Sequence, residues 1–276
     1  MKLNEIYQIA DKIAPKKLSD AYCAAYGAYD NSGVLIDTGD EVTGVLFSLD
    51  LSFAAIDAAE KAGTNLIITH HPAMYGKLNH ARAEADDLVE RKLVKCLRKG
   101  ISVLSMHLNL DTAEGGIDES LQMGVCLAAN EDMTEKEWEK TLQATQKMHV
   151  FDGGAYGRVY DVSQTSLKAL QTGIERRFST ARAVVYGQER KIGRAASFCG
   201  AGADDEAVRF ALKCGADVII SSDFKHHVLT YAVESGLSVI ILTHYASENY
   251  GFKKYYEKIR RQTELPCVYH EDADLL

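Results

Sequence analysis

The stretch Asn65-Leu66-Ile67-Ile68-Thr69-His70-His71-Pro72 decides the fold. Leu66–Thr69 is a short apolar run with β-branched Ile67, Ile68 and Thr69, the pattern of a strand buried on both faces. Pro72 has no N–H to lend to a ladder, so pairing stops before it. His70 and His71 therefore stand at the carboxyl end of a buried strand, where open α/β sheets bind ligands. Neighbouring residues of an extended chain point to opposite sides, so His70 and His71 could serve two different ligands, or two metals, if the strand end twists. Two buried imidazoles without partners would be costly. That cost favours metal ligation over an ordinary structural role.

Moving outward, Leu3, Ile6, Ile9, Ala10 and Ile13 form a helical stripe over residues 2–14 that ends before Pro15. Asp30-Asn31-Ser32-Gly33 is turn chemistry before a strand at Val34–Ile36. Gly39-Asp40 reads as a hairpin turn into a strand at Val42–Leu49. Asp50 reads as the N-cap of a helix from about Ser52 to Ala62, in preference to a carboxylate supporting the histidines. Beyond the His-His-Pro stretch lie an irregular polar segment, an amphipathic helix closing at Gly100, and a buried strand ending in His107 with Asp111 after it. A helix follows over Ile117–Ala128. Residues 130–150 are charged and polar, with the single Trp138, and carry the expected domain boundary. A strand GAYGRVYDV, a helix SQTSLKALQTGIERRF and a strand ARAVVYG come next.

The chain then resembles itself. Residues 43–63 and 192–215 both read strand, loop, helix, glycine. Thr64–Thr69 aligns with Ala216–Ser221, and Gly100-Ile-Ser-Val-Leu with Gly236-Leu-Ser-Val-Ile. Both halves end in a histidine with an acid four residues on, His107…Asp111 and His244…Glu248, and Glu248 is taken as the counterpart of Asp111. The expected architecture is α/β: two similar α/β units with mixed sheets flanked by helices, their polar strand ends facing a shared metal site. The first unit is expected over 1–130, with His70, His71 and Asp111. The second is expected over 131–276, with His244 and Glu248 and a C-terminal tail that packs back on the first.

Composition narrows the classes. Of 276 residues, 46% are hydrophobic and 25% charged, ordinary for a globular protein. A net charge of −8 argues against nucleic acid as an obligate partner, because phosphate binding needs a basic face. The six cysteines are scattered without a C-x-x-C pair, so reduced thiols and a cytoplasmic location are expected. The opening MKLNEIYQIADKIAP does not read as a signal peptide, and no run approaches a membrane span.

Collected, the strand ends carry His70, His71, His107, Asp111, His244 and Glu248, with Asp223, His226 and His227 nearby. Neutral imidazoles with carboxylates and no cysteine suit Zn, Mn, Fe or Co. The donors exceed what one tetrahedral ion uses, and two metals bridged by a carboxylate would employ them, with Glu248 as the bridging candidate. His244 and Glu248, one helical turn apart, share a face. His80, His149 and His270 are read as structural. His226 and His227 stand open between pocket lining and ordinary surface.

These residues carry a family resemblance. Asp30-Asn31-Ser32-Gly33-Val34, Thr69-His70-His71-Pro72, His107-Leu108-Asn109-Leu110-Asp111 with Gly115-Gly116, Gly215-Ala216-Asp217-Val218, Asp223-Phe224-Lys225-His226-His227 and His244-Tyr245-Ala246-Ser247-Glu248 occur in order over most of the chain. In them the chain resembles the YbgI-like dinuclear-metal proteins, also called NGG-one-interacting-factor-three-like and GTP cyclohydrolase I type 2 homologues. The chain departs from the family pattern at Leu108, at Ala73-Met74-Tyr75-Gly76 and at Ser221-Ser222, and it is the compact form without a large middle insertion. The resemblance implies that His71 and Asp111 hold one metal, His70 and His244 the other, and Glu248 bridges both, with His107 lining the pocket. It implies two divalent ions per chain (Zn, Fe or Mn) and a toroidal homohexamer, a trimer of dimers. The expected activity is that of a metal-dependent hydrolase using a metal-bridging water, with His107 as proton shuttle and a small-molecule substrate. The alternative is a non-catalytic metal-binding regulator, scaffold or metal-delivery protein. Neither G-x-x-x-x-G-K-S/T nor G-x-G-x-x-G is present, and the Gly200-Ala201-Gly202 loop alone hints at phosphate binding.

Overall fold

The computed structural model of this chain describes residues 1–74 and 87–275. The irregular segment expected after Met74, and with it His80, falls outside the described residues.

In chain order the elements begin with α1 (Leu3–Ile13), α2 (Lys16–Tyr26), β1 (Gly33–Ile36), β2 (Val45–Ser48), α3 (Phe53–Ala62), β3 (Leu66–Thr69), α4 (Leu88–Arg98), β4 (Ser102–Ser105) and α5 (Leu108–Thr112). There follow α6 (Ile117–Ala129), α7 (Glu135–Ala144), β5 (Gln146–Phe151), β6 (Gly154–Ser166), α8 (Leu167–Arg177), β7 (Val184–Tyr186) and β8 (Lys191–Ser197). The last are α9 (Asp205–Lys213), β9 (Val218–Ser221), α10 (His226–Glu234), β10 (Ser238–Ile241), α11 (His244–Arg260) and β11 (Cys267–Tyr269).

The chain divides into two units. Unit 1 comprises Met1–Ala113, Phe151–Gly154 and Phe252–Asp272; unit 2 comprises Glu114–Val150, Ala155–Gly251 and the residues from Ala273 on. The division falls after Ala113, where the sequence placed it after residue 130. Packing explains the position of α6 in unit 2. Gly173 of α8 lies so close to α6 that a Cβ there would meet the Ala128 carbonyl oxygen at 2.2 Å.

Unit 1 holds a five-stranded sheet in the order β1-β4-β3-β2-β11. Strands β2, β3 and β4 are parallel, and every residue in them is buried. Parallel strands covered on both faces need uninterrupted apolar runs, which is what made them readable. Strand β1 pairs antiparallel with β4, Gly33 opposite Ser105, so no β1–β2 hairpin forms at Gly39-Asp40. Both edges of β2 are already taken, by β3 and by β11. Helices α3 and α4 cover one face, and Leu46, Ile56, Ile67, Leu93, Cys96 and Val103 interlock there. The cap of α3 is Ser52, whose Oγ accepts from the Ala55 amide at 2.9 Å, and not Asp50. Gly63 closes the helix at φ +69°, a conformation that costs a residue with a Cβ.

Unit 2 holds a six-stranded sheet in the order β5-β6-β8-β9-β10-β7. Its β7-β10-β9-β8 block repeats the β1-β4-β3-β2 block of unit 1, down to the antiparallel outer strand. The registers agree: Leu66 pairs with Ser102 as Val218 pairs with Ser238. The helix expected from Ser163 starts later. Strand β6 runs on to Ser166, which pairs with Lys191, and the Ser166 Oγ then caps α8 by accepting from the Ala169 amide. The expected α/β architecture, with mixed sheets flanked by helices, is present.

Candidate metal centre

In unit 1 the site is built at the carboxyl ends of β3 and β4. The amides of His70 and His71 both donate to the Leu49 carbonyl, at 3.1 and 2.9 Å. One acceptor for two successive amides turns the chain sharply after Thr69. The turn is locked by the Thr69 hydroxyl, which donates to the His71 carbonyl at 2.7 Å. The two rings, which an extended strand would send to opposite faces, therefore lie side by side with centroids 4.8 Å apart. His107 follows β4, and ring nitrogens of His70, His71 and His107 come within 4.8 Å of one another.

Each ring is held by its Nδ1. His70 Nδ1 lies 2.8 Å from the Met106 carbonyl, His71 Nδ1 2.8 Å from Asp50 Oδ1, and His107 Nδ1 2.8 Å from Asp30 Oδ1. All three partners are acceptors, so Nδ1 carries the proton and a neutral ring presents its lone pair from Nε2. His70 Nε2 sits 3.4 Å from Asp111 Oδ1. A lone pair and a carboxylate oxygen at that separation repel unless a proton or cation lies between them. His70 is wholly buried and Asp111 nearly so.

Asp30 anchors the site from below. Its Oδ2 accepts from Ser19 Oγ at 2.6 Å and Ser32 Oγ at 2.5 Å, and Ser32 Oγ also accepts from the His107 amide at 3.1 Å. Burial by itself would raise the Asp30 carboxyl, but the hydrogen bond from His107, with those from the two serine hydroxyls, holds it well below the usual carboxylate range.

In unit 2 the counterpart lies at the end of β10. His244 opens α11 and Glu248 follows one turn on, with Nε2 and Oε2 3.1 Å apart. His244 Nδ1 is held by Asp223 Oδ2 at 2.5 Å. Glu248 is buried. Its place exists because residue 200 is glycine: a Cβ there would stand 2.2 Å from Glu248 Oε1 and 3.3 Å from His244 Cε1. The φ of +55° at Gly200 adds a backbone reason for glycine. This loop accommodates a carboxylate, where the sequence hinted at phosphate.

The repeat register corrects the pairing of the two histidine–acid motifs. The Met106 amide donates to the Thr69 carbonyl as the Leu242 amide donates to Ser221. Met106 thus matches Leu242, His107 matches Thr243, and Glu248 falls one residue beyond the counterpart of Asp111. The same register puts Gly200 in the place of Asp50 and Asp223 in the place of His71.

The remaining described histidines lie elsewhere. His226 and His227 are exposed on the first turn of α10, with His227 3.9 Å from Asp205. His149 stacks on Tyr156, and burial lowers its pKa. His270 Nε2 meets Asp272 at 3.1 Å. Sequence reasoning missed the anchoring role of Asp30 and the space left by Gly200, and preferred a cap to the anchoring role of Asp50. The buried His, Asp and Glu groups are such as could hold a metal ion, and the donors fit one: a ligating imidazole characteristically donates its other N–H to a carboxylate or carbonyl.

Residues 1–273 match the family model for DUF34/NIF3, NGG1p interacting factor 3. The chain belongs to the DUF34/NIF3 family. A Clostridium perfringens relative called GTP cyclohydrolase 1 type 2 homolog is 27% identical over 96% of this chain and 93% of its own. Among solved structures, the protein ybgI, described as of unknown function, has a TM-score of 0.76 at 21% identity, covering 98% of each chain. The Staphylococcus aureus hypothetical protein SA1388 has a TM-score of 0.75 at 23% identity, covering 98% of this chain and 96% of that one. Both share the fold of this NIF3 chain. Among the described residues no helix is long and apolar enough to cross a membrane.

Proposed function

We propose that this NIF3 chain is a metal-dependent hydrolase whose centre holds two divalent ions, zinc, iron or manganese. The observation that carries it is the common anchoring of four histidines. His70, His71, His107 and His244 each have Nδ1 against an acceptor, which sets all four to offer Nε2. Against the pairing that the resemblance implies, His70 and Asp111, whose Nε2 and Oδ1 lie 3.4 Å apart, would hold one ion and His71 and His244 the other, with Glu248 common to both. Ions so held supply Lewis acidity and make water a nucleophile near neutral pH.

The chain's own residues supply orientation and proton transfer. Asp50, Asp223 and the Met106 carbonyl fix the ring directions. His107, set by Asp30 and not needed as a ligand, takes and returns a proton at Nε2. The relatives' name points to hydrolytic opening of a purine ring, chemistry that such a centre suits. We further propose that the protein works in the cytoplasm as a homohexamer, a trimer of dimers, acting on a small molecule. The six cysteines, none in a disulfide, accord with that compartment.

Metal content per chain, measured by mass spectrometry on protein purified without chelator or affinity metal, is the first test. About two transition-metal ions per chain are expected. Glu248→Gln should lose both ions together, whereas His70→Ala should weaken mainly one. Full occupancy in the Gln variant removes the bridging role. If metal-loaded protein turns over no member of a hydrolysis panel, a non-catalytic metal-binding role replaces the hydrolase.

A further inference from the structure

Unit 1 carries a second polar feature on the outer side of α3 and α4, built on neither the metal donors nor their anchors. Five basic residues, Arg91, Lys92, Lys95, Arg98 and Lys99, fall within one short stretch of a chain whose net charge is −8. Arg91, Val94, Lys95 and Arg98 recur at helical spacing on one face of α4, and Leu93 and Cys96 of the same helix are buried in the core. With Phe53 of α3 and Lys99, that face lines a groove of 480 Å³. Phe53 forms a half-buried floor, with the Arg91 guanidinium 5.6 Å and the Lys95 ammonium 5.3 Å from its ring centroid. Lys95 is steadied by Asp57, and Lys99 by Glu60 at 2.5 Å. These contacts hold the ammonium groups in place. Among the described residues, neither Arg91 nor Arg98 has a carboxylate within ion-pair distance.

The helix dipole accounts for cations in the last turn of α4. It does not account for Arg91, near the opening of the helix. Arg91 and Arg98 stand seven residues apart, about 10 Å along the axis. Two planar guanidiniums at that spacing, with the Lys95 ammonium between them, match a chain of phosphates, each of which takes paired N–H bonds.

We propose that the α3–α4 groove binds a ligand bearing two or more phosphate groups, with Arg91 and Arg98 as its two ends. The test is calorimetric titration of the full chain with inorganic tripolyphosphate at 0.15 M salt. Binding is expected, weakening as salt rises, because exposed charges are screened beyond about 8 Å at that ionic strength. The double variant R91Q/R98Q should bind about tenfold or more weakly, the loss expected for two charge-assisted contacts. The variant K140Q/K213Q, with the same change in net charge but outside the groove, should bind as wild type does. Repeating the titration on Glu248→Gln separates the groove from the metal centre, since phosphate held by the centre alone would vanish there and groove binding would persist. ATP binding that exceeds tripolyphosphate binding, the excess being lost in Phe53→Leu, identifies a nucleotide; equal binding identifies a free phosphate chain. Three results overturn the site: no binding of tripolyphosphate, equal loss in the two double variants, or binding of a single-stranded RNA oligomer without binding of tripolyphosphate.

Discussion

Asp50 shows how much a single side chain decides here. It precedes a helix, and position alone suggested a cap. Ser52 takes that task, and the carboxylate turns to His71 Nδ1 instead. Removing it leaves the fold's strands and caps untouched but frees the ring to rotate. Residues that orient a ligating histidine are typically worth about 10–100-fold in metal affinity. Asp50→Ala should therefore lower metal affinity by that order while leaving the thermal midpoint near wild type. Chelator competition measures the first and circular dichroism the second. Unchanged affinity would mean that Asp50 does not orient a ligand. Gly200 works through absence at the matching position of the repeat, since the space its Cβ would fill holds the Glu248 carboxylate. One repeat thus places an acid on the loop, and the other leaves room for an acid from a helix.

At the scale of elements, what was legible follows from how local each cause is. Strands β2, β3, β4, β9 and β10 were legible because burial on both faces demands unbroken apolar runs. The repeat was legible because the same demand was met twice in the same order. Strand β11 was not, for Cys267-Val268-Tyr269 is too short to carry a period and is held by pairing with Val45–Phe47, far away in sequence. The candidate metal donors were legible as residue types, but Asp30 was not and Asp50 read first as a cap, because an anchor is identified by its partner and that partner is remote in the chain. Helix α6 illustrates the same limit. Its first-turn Asp118 looks like ordinary dipole chemistry. The structure buries it completely, against Arg158 Nε of β6 at 2.7 Å and the Gly157 amide at 3.1 Å. Glu119 adds a second acid 3.6 Å from the Arg158 guanidinium. Asp118→Ala strands much of that buried charge, and such losses run to about 3–5 kcal/mol. Urea unfolding should show this as a lower midpoint. Replacing both partners by apolar residues (D118L/R158M) should recover much of it. If the single variant costs no more than a surface substitution, the pair does not hold α6 to the sheet.

Over the whole molecule, burial of weak acids sets an alkaline limit on stability. Cys96 lies in the core of unit 1 and Cys126 in α6 of unit 2. Burial pushes each thiol up to about 12, partly offset at Cys96 by Lys95. Burial likewise holds the Tyr160 and Tyr255 hydroxyls well above their usual range. In each case the folded state keeps a proton that the unfolded chain releases at lower pH. The stabilisation is therefore complete below the unfolded thiol value, near 9, and drains away as pH rises towards the folded value. The thermal midpoint should be level from pH 7 to about 9 and fall steadily above it. The near-isosteric C96V/C126V variant should flatten the first part of that fall, where the thiols titrate ahead of the tyrosines. The same burial predicts thiol chemistry: at pH 8 a thiol near 12 is thiolate in only about one molecule in 10⁴. Iodoacetamide should then label the partly exposed Cys23, Cys214 and Cys267 well before Cys96 or Cys126. A midpoint that stays level to pH 11, or prompt labelling of Cys96 in folded protein, would show that these thiols are not shielded and that the cores of the two units open readily to water.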